Sequence, residues 1–312
     1  MTAIDNDEAI HRRTQVRDRF SMSRYSRKNT KVAPGAILRC VNLIKNHCPH
    51  RQHHPFKVAN PVESANTFLM ETTHFRKLIS VLLLSVAALT ARAAEKIPAQ
   101  NGDIEIDPIN HATFVLRWNG KTIFVDPVGG AQKFTGKPDL ILVTDIHGDH
   151  LNADTLKGVA GDKTKIVAPA AVADKLPAEL KSKTETLANG AKKDLDGILI
   201  EAIPMYNLTP ERQQYHAKGR GNGYVVTLGG KRIYISGDTE DIPEMRALKN
   251  IDAAFVCMNL PYTMTVDQAA SAVKEFKPKI TYPYHHRGSD VQKFKELVGT
   301  ASEVRILDWY AK

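Results

Sequence analysis

Cysteine is scarce: the chain has three in 312 residues, and beyond position 93 only Cys257. Residues 94–312 therefore cannot form an intrachain disulfide, and they offer no thiolate cluster for a structural zinc site. Long apolar runs are missing too. The longest, Leu78 to Thr90, falls short of the roughly 20 residues a membrane-spanning helix needs, so no stable membrane anchor is expected. Low-complexity sequence and repeats at solenoid or propeller periods are absent from residues 94–312.

Charge is unevenly spread. The formal net charge is +9, which taken alone suggests a nucleic-acid or anionic-membrane partner. Residues 1–93 hold 15 Lys/Arg against 6 Asp/Glu, so the whole excess lies outside the region that reads as folded. No nucleic-acid partner is expected.

Met70 opens a second start: Met-Glu-Thr-Thr-His-Phe-Arg-Lys, the apolar run Leu78 to Thr90, then Ala91-Arg92-Ala93. A basic lead, a short apolar core and a small-x-small site make residues 70–93 a secretory signal peptide. Cleavage is expected between Ala93 and Ala94, leaving a periplasmic or secreted protein. Residues 1–69 show no helical or strand periodicity and are expected to be untranslated or disordered. His47, Cys48, His50, His53 and His54 lack the second half of a zinc-finger pattern. Residues 94–312 have the length of one domain, with Cys257 a small apolar residue in the run Ala253 to Met258.

That region alternates strands and helices. Ile104–Ile106, Thr113–Trp118 and Lys121–Val125 read as strands, the last two joined by Asn119-Gly120, a strong hairpin signal. Tyr224–Leu228 and Arg232–Ile235 form a second hairpin across Gly229-Gly230. Helices are expected near Ala153–Val159 and Ala170–Lys175, with a strand at Lys165–Ala168 between them. Thr265-x-x-Gln268 and Ser289-x-x-Gln292 are capping boxes for two late helices. Early hairpins followed by strand-helix alternation imply two mixed sheets face to face with helices outside, an α/β sandwich.

Asp145 to His150 read Asp-Ile-His-Gly-Asp-His directly after Leu140-Ile141-Leu142-Val143-Thr144. Alternation at a strand end puts Asp145 and His147 on one side, and Asp149 and His150 fold back on the following turn. Four potential ligands at one junction point to a metal. Imidazole and carboxylate suit Zn²⁺, Mn²⁺ or Fe²⁺, and a thiolate-free set reads as catalytic rather than structural.

The segment resembles the signature loop of the metallo-β-lactamase superfamily, Thr-His-x-His-x-Asp-His, with Asp145 where the family usually has its first histidine. Later landmarks follow in order: His216 in Tyr-His-Ala-Lys-Gly, Asp238 in Ser-Gly-Asp-Thr and His285 in Tyr-Pro-Tyr-His-His. The wording is most similar to the ascorbate-lactonase-like (UlaG-like) branch, from about Ile104 onward. The resemblance implies an αββα four-layer fold and one or two ions, zinc above all, with Mn²⁺ or Fe²⁺ as alternatives. It places Asp145, His147 and His216 around a first ion and Asp149, His150 and His285 around a second, with Asp238 between them. The carboxylate of Asp145 leaves three roles open: a harder ligand that shifts metal preference, a loop cap, or the mark of a single-metal site.

Around these residues, Tyr206, Asn207, Tyr262 and Arg287 are expected to contact substrate, with Met264 nearby. Asp149 and His286 are the expected proton-handling groups, His286 having the alternative role of orienting a ligand. His111 and Asp126 match early family segments and are expected in support rather than ligation. The function this implies is an exported metal-dependent hydrolase that uses metal-bound hydroxide on a small ester-like bond, a lactone or a phosphodiester. A phospholipase D-like lipid phosphodiesterase and a non-catalytic metal-binding periplasmic protein are the alternatives. For the former, no strong amphipathic membrane-facing stretch is evident. A small-molecule substrate is the expected partner, and the sequence does not set an oligomeric state.

Overall fold

The structure is a computed structural model that describes residues 94–310. The expected upstream segment, residues 1–69, and the expected signal peptide, residues 70–93, lie outside the described residues.

Two seven-stranded sheets carry the fold. The first holds β1 (Glu95–Ile97), β2 (Ile104–Asn110), β3 (Thr113–Trp118), β4 (Lys121–Val125), β5 (Leu140–Leu142), β6 (Lys165–Ala168) and β7 (Thr184–Thr186), side by side in chain order. The second holds β8 (Lys192–Leu195), β9 (Ile198–Met205), β10 (Gly221–Leu228), β11 (Lys231–Ile235), β12 (Ala253–Cys257), β13 (Ile280–Tyr284) and β14 (Glu303–Val304). In each sheet the first four strands pair antiparallel and the last four parallel. The two halves thus share one topology, a repeat that residue-level similarity does not display.

Local chemistry explains the pairing. Asn119 and Gly120 both have positive φ, 47° and 71°, the requirement of a two-residue hairpin turn that keeps the right-handed strand twist. The turn sets Trp118 opposite Lys121 and Phe114 opposite Val125. Alternation then sorts side chains between layers. Phe114, Leu116, Ile123, Val125, Leu140 and Leu142 face the second sheet and pack in one cluster with Ile200, Ala202, Tyr224 and Val226. Their neighbours Val115, Phe124, Ile141 and Val143 point the other way, against Leu156, Val159, Val172, Leu176 and Leu180. Those five belong to, or directly follow, helices α1 (Ala153–Val159), α2 (Ala170–Lys175) and α3 (Ala178–Lys181). Each such buried aliphatic or aromatic side chain contributes about 1.5–3 kcal/mol.

The second sheet is covered in the same manner. After the single turn α4 (Pro243–Arg246), α5 (Val266–Phe276) and α6 (Val291–Val298) bring Ala269, Val273, Phe276, Phe294 and Val298 into the core, and the Phe276 ring meets Tyr234 edge-on at 6.0 Å. The layers are helix, sheet, sheet, helix. The capping box of α5 is present in full. The start of α6 corrects the expected one: Asp290, not Ser289, is the cap, its carboxylate accepting from the amides of Gln292 and Lys293 at 3.1 and 2.9 Å. Ser289 instead donates to the Met258 carbonyl at 2.6 Å.

One edge of the sandwich gathers the loops that follow β4, β5, β11, β12 and β13. Close approach there depends on small residues at the start of β10. A Cβ on Gly223 would lie 2.8 Å from the Ser236 carbonyl oxygen, and one on Gly221 would lie 3.0 Å from that of Thr144. The Asn222 amide donates to Thr144 O at 3.0 Å and the Tyr224 hydroxyl to Val143 O at 2.8 Å, tying the two sheets together beneath the loops.

Candidate metal centre

The chain leaves β5 and turns sharply, the amides of His150 and Leu151 both donating to His147 O. Asn152 then caps α1 through Thr155 N at 2.8 Å. This turn does what the spacing requires: Asp145 Oδ2 and His147 Nδ1 come to 2.6 Å, and His150 points inward, fully buried.

His150 is held from both sides. Its Nδ1 lies 2.8 Å from Asp126 Oδ2, and the same carboxylate accepts from the Thr144 amide at 2.8 Å and the Thr144 hydroxyl at 2.7 Å. An Nδ1 proton held by Asp126 leaves Nε2 bare, and that nitrogen lies 3.3 Å from Asp238 Oδ2. His216 is prepared the same way. Its Nδ1 sits 3.1 Å from the Tyr262 carbonyl, and its Nε2 faces the same Asp238 oxygen at 3.3 Å. His285 completes the set from the end of β13, its Nε2 3.3 Å from Asp238 Oδ1 and 3.3 Å from Asp149 Oδ2. Asp238 therefore lies among three histidines, between the two expected ligand groups.

Burial makes this arrangement expensive without a cation. His150 Nε2, His216 Nε2, Asp238 Oδ1 and Asp145 Oδ1 are all buried with no hydrogen-bond partner, and each such group costs about 1–3 kcal/mol if left unmatched. Bare imidazole nitrogens converging on carboxylate oxygens are what a divalent ion satisfies. Among the described residues three groups of ligand atoms lie close enough to hold one, the last two sharing His285: Asp145, His147 and His216; His150, Asp238 and His285; and His111, Asp149 and His285. The first brings together the three residues that the resemblance places around a first ion. In the second and third, Asp238 takes the place expected of Asp149 beside His150, and Asp149 stands on the open side with His111.

The electrostatics follow from the same contacts. Burial pulls the His150 imidazolium down, but Asp238 and Asp126 on either side more than reverse this and hold it well above its ordinary value. Burial pushes Asp238 up, and the charges of His285 and His150 beside it hold it well below the usual carboxylate range. Asp149 is likewise raised by burial and lowered further by hydrogen bonds with His111 and His285, with a net downward shift. For Asp126 burial prevails and the carboxyl is raised. His111 and His286 are both lowered, chiefly by burial.

Backbone geometry supports the arrangement. His111, Asp126 and His285 all have positive φ, 55°, 44° and 46°, conformations costing on the order of 1–3 kcal/mol and typical of functional sites. His111 stacks on His285 with ring centroids 3.7 Å apart, and His285 on His150 at 5.1 Å. The His111 Nδ1 is 2.7 Å from the Tyr310 hydroxyl, which also accepts from the His286 amide at 3.1 Å.

A cavity of about 480 Å³ opens over these groups, lined by His111, His147, Asp149, Tyr215, His216, Asp238, Asn259, Tyr262, His285 and Arg287. Tyr262 and Arg287 thus stand where substrate contact is expected. Tyr206 and Asn207 do not. The Tyr206 hydroxyl donates to Glu244 at 3.0 Å, and Asn207 Nδ2 donates to Arg212 O and Tyr262 O at 2.9 and 2.7 Å, bracing the loop of His216. His286 is not in the lining either: its ring packs edge-on against Tyr310 with Nε2 buried. Met264 is buried. Tyr215 stands in the sequence only as the neighbour of His216, and Asn259 belongs to no ligand motif, so neither is marked there as a lining residue. Arg220, whose Nη2 reaches Asp145 Oδ2 at 3.3 Å, was missed because 75 residues separate the pair.

Comparison with known proteins agrees with this geometry. A family model described as beta-lactamase superfamily domain matches residues 105–285. A UPF0173 metal-dependent hydrolase of Pyrococcus abyssi is 30% identical over 221 residues, covering 65% of this chain and 96% of that protein. The crystal structure of a candidate metal-dependent hydrolase from Parabacteroides distasonis is 41% identical, with a TM-score of 0.64, covering 68% of this chain and 97% of the other. A metallo hydrolase from Ignicoccus hospitalis, 21% identical with a TM-score of 0.55 over 66% of this chain and 95% of its own, shares the fold.

Proposed function

The chain belongs to the metallo-β-lactamase superfamily and is a metal-dependent hydrolase, and from that premise we propose that it cleaves a small ester-like bond, a lactone or a phosphodiester, after export. The observation that carries this reading is the convergence of the bare His150 and His216 nitrogens with Asp238 on the floor of a cavity that has Arg287 in its wall. Zinc is the proposed metal, with Mn²⁺ or Fe²⁺ as the alternatives an oxygen-rich set allows. Once bound, a divalent ion supplies Lewis acidity, lowering the pKa of water and balancing charge that develops on a polarised oxygen.

The chain's own groups do the rest. Asp126 fixes the tautomer of His150, and the Tyr262 carbonyl fixes that of His216. Asp149 has Oδ2 3.5 Å from His111 Nε2 and 3.3 Å from His285 Nε2, on the cavity side. Its lowered pKa keeps it ionised but makes it a weak base, so its contribution is to orient the attacking water and accept its proton transiently. Arg287 offers a planar pair of donors to a phosphate or carboxylate oxygen. Tyr215 and Tyr262 meet edge-on at 5.0 Å and form an aromatic wall. A volume of about 480 Å³ suits a small ligand. The ascorbate-lactonase-like likeness favours the lactone, and the segment at residues 70–93 supports export.

A lipid phosphodiester is the second reading. Leu208, Leu260 and Tyr262 are 43%, 49% and 44% exposed, and they lie on two loops tied together by the Asn207 to Tyr262 bond, both of which contribute to the cavity lining. One assay separates these readings: the metal-loaded protein is offered lactones, water-soluble phosphodiesters and phospholipid vesicles, with and without chelator. Chelator-sensitive turnover of the first two is expected. Turnover confined to vesicles supports the lipid reading, and none on any class overturns the proposal.

A further inference from the structure

Asp145 is where the chain departs from the superfamily signature, and Arg220 is its partner. Asp145 is fully buried, with Oδ2 2.6 Å from His147 Nδ1 and 3.3 Å from Arg220 Nη2. The guanidinium is held in place by a second bond, because the same Arg220 Nη2 also donates to the Tyr215 carbonyl. Its backbone is positioned by the Asn222 to Thr144 bond and by Gly221, where a Cβ would meet Thr144 O at 3.0 Å and the Met205 methyl at 2.1 Å. A permanent cation is thereby delivered to the carboxylate oxygen that would bind a first ion. The group on the other side of Asp238 differs. His150, Asp238 and His285 are all buried, the Nδ1 of His150 is fixed by Asp126, and neither the Arg220 nor the Arg287 guanidinium bonds to any of them.

We propose that Arg220 takes the electrostatic place of one metal ion, so that the chain holds a single divalent ion at His150, Asp238 and His285, and Asp145 serves as the counter-ion of Arg220. The proposal rests on the reading of this centre as a metal site. A dication beside Asp145 would face the Arg220 charge at close range in a buried setting, where like charges repel strongly. It would also have to displace the hydrogen bond between Asp145 and His147. The opposite assignment, in which Arg220 merely orients Asp145 as a ligand, predicts the reverse response to mutation.

Metal content decides between them. The full chain is loaded with Zn²⁺ and with Mn²⁺, freed of excess, and measured by elemental analysis, with electron paramagnetic resonance of the Mn²⁺ form to detect spin coupling between neighbouring ions. The wild-type chain is expected to hold one equivalent and show an uncoupled signal. Arg220→Gln is expected to take up a second equivalent with a coupled signal, while Arg220→Lys, which keeps the charge, stays at one. Two equivalents in the wild type, or a folded Arg220→Gln chain that still holds one or fewer, overturns the inference. No bound metal in the wild type instead overturns the metal-site reading on which it rests. Should Arg220→Gln fail to fold, the wild-type stoichiometry and the Mn²⁺ spectrum still decide.

Discussion

His150 sits between Asp126, 2.8 Å from its Nδ1, and Asp238, 3.3 Å from its Nε2. The two carboxylates do different work on one ring. Asp126 fixes where the proton resides, and Asp238 faces the nitrogen that is left free. They end matching strands, since Asp126 follows β4 and Asp238 lies in the turn after β11, the fourth strand of each half.

Asp126→Asn should therefore weaken metal binding by about 10–100-fold without unfolding the chain. The amide oxygen can still accept from Thr144, but the amide nitrogen cannot accept the His150 proton. Calorimetric titration with Zn²⁺ measures this, and unchanged affinity removes Asp126 from the site's support.

The pH dependence of binding has a definite sign. Asp238 and Asp126 hold His150 above its ordinary value in the metal-free fold, so protons and an ion compete for its Nε2. Affinity should rise with pH until His150 deprotonates, with a proton released per ion bound. The metal-free chain should behave oppositely, because stabilisation from a raised histidine is complete below the unfolded pKa and disappears as pH climbs through the folded one. Titrations in buffers of different ionisation enthalpy count the proton, and chelator-treated protein melted across the pH range tests the second sign.

Asp145→Ala removes the carboxylate partner of Arg220. The carboxylate is fully buried and the guanidinium partly so, and the expected loss is about 3 kcal/mol, visible as a lower denaturant midpoint with an unchanged slope. Stability equal to wild type would mean the pair is neutral to the fold.

Arg287→Ala should act on substrate binding. Loss of a charge-assisted hydrogen bond costs about 1.5–3 kcal/mol, which corresponds to a KM increase of about 10–150-fold for an anionic substrate with kcat little changed. A fall in kcat with constant KM would instead place Arg287 in the chemical step.

Thr265→Ala is a control, because the Thr265 side chain accepts from the Gln268 amide and bonds no candidate metal ligand. It removes one side of the α5 capping box and should cost about 1 kcal/mol while metal content stays constant. Differential scanning calorimetry with elemental analysis reads both.

Much of this was written locally in the sequence. The turn at Asn119-Gly120, the Thr265 cap and the clustering of Asp145, His147, Asp149 and His150 depend on residues a few positions apart, where alternation and capping chemistry act directly. Asp238 and His285 were legible because each follows an apolar strand-like run. What escaped depends on distant segments meeting. Asn207 and Tyr206 follow a strand as a substrate group would, yet Asn207 is turned toward the Tyr262 carbonyl and Tyr206 toward Glu244. Ser289 fits the capping pattern as well as Asp290 does, and the nearby Met258 carbonyl decides between them. Arg220 looks like one more charge in a glycine-rich loop until β10 is laid against the turn after β5.

The shared topology of the halves has a mechanical consequence. Asp145, His147 and His150 descend from the first sheet, while His216, Asp238 and His285 descend from the second. An ion bound among them acts as a rivet across the seam: it binds only when both sheets are docked in register, and its binding energy adds to the cohesion of the whole domain. Stripping the metal should then loosen the seam before either sheet, with exchange of the Asn222 amide, which donates to the Thr144 carbonyl across the seam, accelerating ahead of those in β3 and β4.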